Sequence, residues 1–540
     1  MTDTIFRAAR IHTMGHDTPT ATHIRVRDGR ILAVGTEADM QAWGEGAELD
    51  ESLDGRVVLP GFVEGHAHMM AGAMWRYTYL GHYARTAPDG TDWPGVPTTQ
   101  AVIERLRRAA AEQPDGPLVG WGFDPIFLEG RRLDRHHLDQ VSPDRPIAVI
   151  HSNFHLLTAN SAALRLAGYD RGTNVEGVVM GDDGEPAGEL QEMGAMFPVM
   201  RRLGIDFGAL GREPDDIRAY GQVARLSGTT TVTDLFSDLT DADAGTLLEV
   251  TGDHAFPARL VPALNALTAE PEEVARRARA LRDRSSAKLR LGAVKLMTDG
   301  AIQGWTARLK WPGYFTGTDQ GTWNIAPEQL DRTVALMHEA GLHMHMHVNG
   351  DEAVEAGLDA FERAFRRHPR ADHRHVLQHA QLADAAQFRR MRALGLCCNL
   401  FANHIHYFGD IHLAKTLGPD RARRMNACRT ALDEGVALAI HSDAPVTPLG
   451  PLTTAWAAAN RITEQGTVLG EAQRITVAEA LRLVTLGAAY TLHMDAEIGS
   501  IEAGKRADFA VLADDPLEVA PEHLRDVKVV GTVLDGRVTS

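Results

Sequence analysis

Two histidines one residue apart, His66 and His68, close the run LeuProGlyPheValGluGlyHisAlaHis at residues 59–68. Along an extended strand, side chains two apart share a face, so both imidazoles point the same way. Imidazole is the commonest protein ligand for a borderline ion such as Zn²⁺, and such a pair offers two donors. A histidine pair on a solvated loop is the plain alternative. Its place at the end of an apolar run favours the metal.

Other groups of the same chemistry end apolar runs farther on. Lys295 lies within LeuGlyAlaValLysLeuMetThrAspGly, where an unpaired ammonium is costly to bury and needs a special partner. His347 closes LeuHisMetHisMetHis, His379 closes HisValLeuGlnHis, and Asp443 closes AlaLeuAlaIleHisSerAsp. Each is a candidate ligand. His343, His345 and His347 share a face and cannot all reach one ion, so His347, nearest the AsnGlyAsp turn, is the candidate and the other two are read as packed interior. His441 stands in the same relation to Asp443 and is read as its support. Cys397 and Cys398 point to opposite faces of a strand, which argues against joint ligation, and with Cys428 they are read as packing residues.

These groups converge only if the runs that carry them lie side by side. Strand candidates are Val57–Val63, Thr229–Leu235, Arg259–Leu264, Leu291–Met297, Leu342–Val348, His375–His379, Leu396–Leu400 and Ala437–Ile440. Helix-like stretches such as Glu272–Arg284, Pro327–Ala340 and Asp351–Arg367 separate several of them. Alternating strands and helices predict a parallel sheet, and eight strands predict an α/β fold of the (β/α)8 TIM type, with its active site at the C-terminal strand ends.

Residues 1–58 and 495–540 carry short strands and the hairpin turns Asp28-Gly29 and Asp535-Gly536, which predicts one small β-sandwich-like domain built from both termini. The barrel takes residues 59–70 and 220–494. Residues 71–219 are far too long for one strand-to-helix connection, so an inserted domain over the active site is expected after the first barrel strand. Trp75, Tyr77, Tyr79, Trp121 and Phe123 would line a lidded pocket or form that domain's own core.

The chain has 540 residues, with 55 Lys plus Arg against 72 Asp plus Glu, a net charge of −17. A surface that acidic is repelled by phosphate backbones and anionic membranes, so neither nucleic acid nor membrane is expected as a partner. Three cysteines are too few for a disulfide framework, and no signal-like or membrane-spanning apolar run is found, which predicts a cytoplasmic protein. A homo-oligomer is compatible with all of this.

Taken together these residues resemble the amidohydrolase superfamily of metal-dependent hydrolases, in the branch that includes N-substituted formamide deformylase-like proteins. The resemblance rests on ProGlyPheValGluGlyHisAlaHis, Lys295 in its strand, HisValAsnGlyAspGluAla from His347, LeuGlnHisAlaGlnLeu around His379, HisSerAspAlaProVal around Asp443, and GlySerIleGluAlaGlyLysArgAlaAspPheAlaValLeu from Gly499. It covers almost the whole chain and implies that His66, His68 and Asp443 hold one divalent ion and His347 and His379 a second. Lys295 then bridges both as a CO₂-derived carbamate, an anion where an ammonium would be repelled. A one-metal site stays open. Zinc is the expected ion, with manganese or iron as alternatives.

Metal ions lower the pKa of bound water to about 7 and polarise a carbonyl. Asp443 would accept the proton of that water and pass one to the leaving nitrogen. The expected substrate is a small-molecule amide, and Phe123, His155, Asp299, His404 and His406 are the candidate substrate contacts. The expected reaction is hydrolysis of a carbon–nitrogen bond of an amide or N-substituted formamide. The alternatives are a deaminase or cyclic amidohydrolase using the same site, and a non-catalytic regulatory or binding protein that keeps the fold.

Overall fold

Pro60-Gly61 divides the first apolar run into two strands that serve different sheets. In the computed structural model, which describes residues 3–539 apart from 45, 129–131, 153, 155, 207–208 and 318, Val57–Pro60 pairs with Phe509–Leu512 and with Asp3–His12. Phe62–Glu64 pairs instead with Thr229–Ser237. The expected single strand Val57–Val63 is therefore corrected to two. Glycine is required at the switch because a Cβ on Gly61 would stand 2.0 Å from Thr230 Oγ1.

The sheet that carries the candidate ligands has eight parallel strands. They are β1 Phe62–Glu64, β2 Thr229–Ser237, β3 Arg259–Asn265, β4 Ala293–Met297, β5 Met344–Val348, β6 Val376–His379, β7 Cys397–Leu400 and β8 Ala437–Ile440, each paired with the next in chain order. The Asp443 N–H donates to His66 O at 3.1 Å and the His68 N–H to Ala444 O at 2.8 Å, which clasps the C-terminal ends of β1 and β8 and curls the sheet round. Register puts Lys295 beside His345 and Gln378 beside Asn399, and all four side chains are buried. The helix Asp351–Arg367 after β5 buries Val354, Leu358, Phe361 and Ala364, the spacing of one helical face.

A second eight-stranded sheet joins both ends of the chain, with Asp3–His12, Thr20–Arg27, Arg30–Gly35, Glu48–Asp50 and Val57–Pro60 from the start and Phe509–Leu512, Val529–Leu534 and Arg537–Thr539 from the end. Asp28-Gly29 and Asp535-Gly536 each have positive φ at both residues, as two-residue hairpins demand. Phe6, Ile11, Ile24, Val26, Val58, Phe509, Val511 and Val533 form its core. Arg259, at the start of β3, donates to Asp508 at 2.8 and 3.0 Å, so an ion pair buried on both sides ties this sheet to the barrel.

Met1–His68 and Ala224–Ser540 form one compact unit, and Met69–Val223 form another. The latter has a six-stranded sheet in the order Val178–Met180, Pro186–Gln191, Leu156–Ala159, Ile147–His151, Leu118–Phe123, Thr78–Tyr79. Tyr79 and Trp121 are buried within its core, with Trp75 and Tyr77 packed against them. Among the described residues, no helix is long and apolar enough to cross a membrane.

Candidate metal centre

Beyond β1 the chain is held on both sides. The Ala67 N–H donates to Thr233 Oγ1 at 2.9 Å on β2, and the clasp to residues 443 and 444 holds the other side. Below the clasp, the buried Glu64 carboxylate accepts the His66 N–H at 3.2 Å and the Ser442 hydroxyl at 2.7 Å. Burial pushes the Glu64 carboxyl up to about 8, opposed by those hydrogen bonds. Sequence reasoning missed Glu64. Its signal was a carboxylate inside an apolar run, which the motif reading passed over on the way to His66.

Two of the expected ligands meet a third. Asp443 Oδ1 stands 3.2 Å from His68 Nε2 and 3.4 Å from His66 Nε2. This oxygen is buried and has no hydrogen-bond partner among the described residues. Imidazole lone pairs and a carboxylate oxygen repel one another at that range unless a proton or a cation lies between, so these donors suit a divalent ion. His66, His379 and His441 form a second group whose ligand atoms lie within 4.8 Å of one another. His66 belongs to both.

The backbone is strained where the ligand candidates turn inward. His379 and Asp443 have φ of 70° and 52°, left-handed values that cost a residue with a side chain about 1–2 kcal/mol each. The clasp holds Asp443 there, while the Ala380 N–H, bonded to Val348 O at 2.8 Å, holds His379. Strain kept at such residues marks a site where side-chain direction matters more than stability.

His66, His347, His379 and His441 are held neutral, the state in which an imidazole ligates. Burial pushes His347 down to about 4 and His441 to about 3, and holds His66 and His379 well below the ordinary value. For Asp443, burial alone would raise the carboxyl, but the neighbouring His68 outweighs it and leaves the group below its usual range. Lys295 is 1% exposed, forms no ion pair among the described residues, and is pushed down to about 7 by burial.

The remaining expected ligand is placed differently. His347 packs edge-on against His379 with ring centroids 4.5 Å apart, yet it belongs to neither group of converging ligand atoms. Its Nε2 lies 3.1 Å from Gly300 O and 3.5 Å from Asp299 Oδ1. His441, read from sequence as a support for Asp443, instead puts its Nε2 3.2 Å from His379 Nδ1 and stacks on His66.

The substrate contacts read from sequence fare unevenly. Asp299 is fully buried and accepts the backbone N–H groups of Arg308, Asn349 and Gly350 at 2.8–2.9 Å, so its carboxylate is spent on holding two loops rather than on a substrate. Phe123 is 2% exposed and packs with Leu80, Val102 and Leu106 in the core of the Met69–Val223 unit, because the register shift at Gly122, whose φ is 86°, turns it to the face opposite Trp121. His404 lies between Phe401 and Phe408, its Nδ1 3.1 Å from His412 Nε2. His406 bonds Ile462 O through Nδ1 at 3.1 Å. His155 lies outside the described residues.

Comparison with known proteins identifies the family of the chain. Residues 51–540 match the model of the Amidohydrolase family. The N-substituted formamide deformylase of Arthrobacter pascens is 30% identical over 564 residues, covering 99% of this chain and 98% of its own. Protein LONG AFTER FAR-RED 3 of Arabidopsis thaliana is 27% identical, over 99% of this chain and 91% of its own. An uncharacterized metal-dependent hydrolase from Pyrococcus furiosus superposes with a TM-score of 0.72 at 22% identity, covering 96% of this chain and 100% of that one, a likeness of fold.

Proposed function

Since the chain belongs to the amidohydrolase family, we propose that it is a metal-dependent hydrolase that cleaves a carbon–nitrogen bond of an amide, with N-substituted formamides as the first substrate class to try. The observation that carries this reading is Asp443 Oδ1, buried without a hydrogen bond and facing His66 Nε2 and His68 Nε2 at 3.4 and 3.2 Å. His66, His68 and Asp443 would hold one ion. His347, His379 and a carbamate on Lys295 would hold a second, and His441 lies within reach of His379.

Zinc suits these nitrogen and oxygen donors, with manganese and iron as alternatives. When bound, the metal supplies activated water and a polarised carbonyl. Asp443, charged below the ordinary carboxylate range, accepts the proton of the attacking water and returns one to the leaving nitrogen. Burial excludes bulk water from His66 and His379, which strengthens every charge interaction at the reacting centre. Lys295, buried without an ion pair, is the residue whose reaction with CO₂ turns an unfavourable cation into a ligand. The Met69–Val223 unit, which follows His68 directly in the chain, is proposed to select the substrate.

The test is to chelate the purified protein, restore Zn²⁺ or Mn²⁺, and assay formamides, acyl amides, cyclic imides and amino-heterocycles. Metal-dependent release of an amine from the formamide or amide set is expected. Full activity in metal-free protein, or no turnover of any compound at full metal content, would overturn the reading.

A further inference from the structure

Beneath His66 lies a buried cluster of amides and imidazole that none of the chemistry above uses. Gln378 on β6, Asn399 on β7 and His345 on β5 are each 0% exposed. Gln378 Oε1 lies 2.9 Å from His66 Nδ1 and accepts Asn399 Nδ2–H at 3.0 Å. Gln378 Nε2 donates to His345 Nδ1 at 2.8 Å.

With the Gln378 amide in this orientation, its contacts set the arrangement of protons. An amide oxygen only accepts, so the nitrogen of His66 that faces it carries the hydrogen. A neutral imidazole has one N–H, so the other nitrogen, Nε2, keeps its lone pair. That nitrogen is the one facing Asp443 Oδ1. Turning this amide over would require the Asn399 amide to turn with it and His345 to move its proton to Nδ1. His345, read from sequence as packed interior, thus has a definite partner.

We propose that Gln378 is a positioning residue that locks the His66 proton on Nδ1 and so presents the Nε2 lone pair to the metal, with Asn399 and His345 holding its amide the right way round. The inference rests on His66 being a metal ligand. Partners that hydrogen-bond a ligating histidine typically contribute 10–100-fold in metal affinity.

The experiment measures Zn²⁺ affinity of the metal-free full-length protein by competition with a chromophoric chelator, for the parent chain, His66→Gln, Gln378→Met and Gln378→Glu. Gln378→Met keeps the length and apolar volume but removes the acceptor, and is expected to bind Zn²⁺ about 10–100-fold more weakly. Gln378→Glu still accepts the His66 proton and makes that imidazole more basic, and His345, whose Nε2 has no partner among the described residues, meets the second oxygen by moving its proton to Nδ1, so affinity is expected to equal or exceed the parent's. A role in packing alone predicts the reverse order, since methionine fills the space and a buried carboxylate is costly. Parental affinity in Gln378→Met, or weaker binding by Gln378→Glu than by Gln378→Met, overturns the proposal. Should the new charge unfold Gln378→Glu, Asn399→Leu takes its place, with about tenfold weaker binding expected and parental affinity counting against the proposal. If His66→Gln binds Zn²⁺ as the parent does, the ligand reading itself has failed, an outcome distinct from a null result at Gln378 alone.

Discussion

Glu64 Oε2 accepts the Ser442 hydroxyl at 2.7 Å, which ties the residue two before His66 to the residue just before Asp443. The contact spans 378 positions of sequence and joins the first strand of the barrel to the last. Removing the hydroxyl leaves a buried carboxylate short of a donor, a loss worth about 1–3 kcal/mol. Ser442→Ala is therefore expected to lower the unfolding free energy by about that amount and to weaken Zn²⁺ retention, because both candidate ligands lose a shared anchor. Denaturant titration and metal analysis check this. An unchanged midpoint with full metal content would show that the tie is incidental.

Asp443 is assigned two roles, and Asp443→Asn separates them. The amide keeps one oxygen able to ligate weakly but cannot take a proton. Some metal should remain while turnover falls by roughly 10²- to 10⁴-fold, the range for loss of a general base. Metal content by elemental analysis and steady-state rates give the comparison. Near-normal turnover with metal retained would assign proton transfer elsewhere, His404 being the next residue to examine.

Lys295→Ala removes the proposed carbamate without adding charge to a buried position. Lower metal occupancy and activity are expected, with partial recovery on adding short-chain carboxylic acids that can fill the vacated space and supply the missing anion. A variant that binds the parental amount of metal and turns over normally would remove Lys295 from the site.

At the opposite end of β5 and β6 lies a histidine group that governs acid stability. Burial pushes His343 down to about 3 and His373 to about 4, and holds His375 well below the usual value of 6.5. Their nitrogens are engaged as neutral rings require: His343 Nε2 with Arg374 O at 2.8 Å, His373 Nε2 with Leu394 O at 2.9 Å, and His375 Nδ1 accepting the Met344 N–H at 3.2 Å. On unfolding, each ring regains its ordinary value near 6.5, so between there and the folded values the unfolded chain binds more protons. Stability from these groups is thus complete above about pH 6.5 and falls as pH drops, by about 1.4 kcal/mol per pH unit for each ring that stays neutral. His343→Gln, which keeps a donor for Arg374 O, should lose less stability between pH 6.5 and 4.5 than the parent. Identical pH dependence of the denaturation midpoint would exclude His343 from the effect.

Much of the barrel was legible because its signals are local. Ala437–Ile440 and the helix Asp351–Arg367 keep the bounds that alternation and periodicity give them, and the other later strands lie close to theirs. The first strand was not legible as two, since nothing in ValValLeuProGlyPheVal says that Thr230 will crowd Gly61 and send its two halves to different sheets. Asp299 read as a polar residue near the mouth, and only the loops folded over it show that three backbone N–H groups take its carboxylate.

The sequence by itself determined which residue types stand at the ends of apolar strands, because strand alternation and side-chain chemistry depend only on near neighbours. Tertiary structure decided which of them meet. His66 finds Gln378 across 312 positions, and Asp443 finds His66 through the clasp between the first and last strands. His347 is drawn towards Gly300 O, while His441 comes within 3.2 Å of His379. Those distances follow from curling the sheet and setting its register, and each joins parts of the chain too far apart for a local pattern to encode, 47 residues for His347 and Gly300 and 312 for His66 and Gln378.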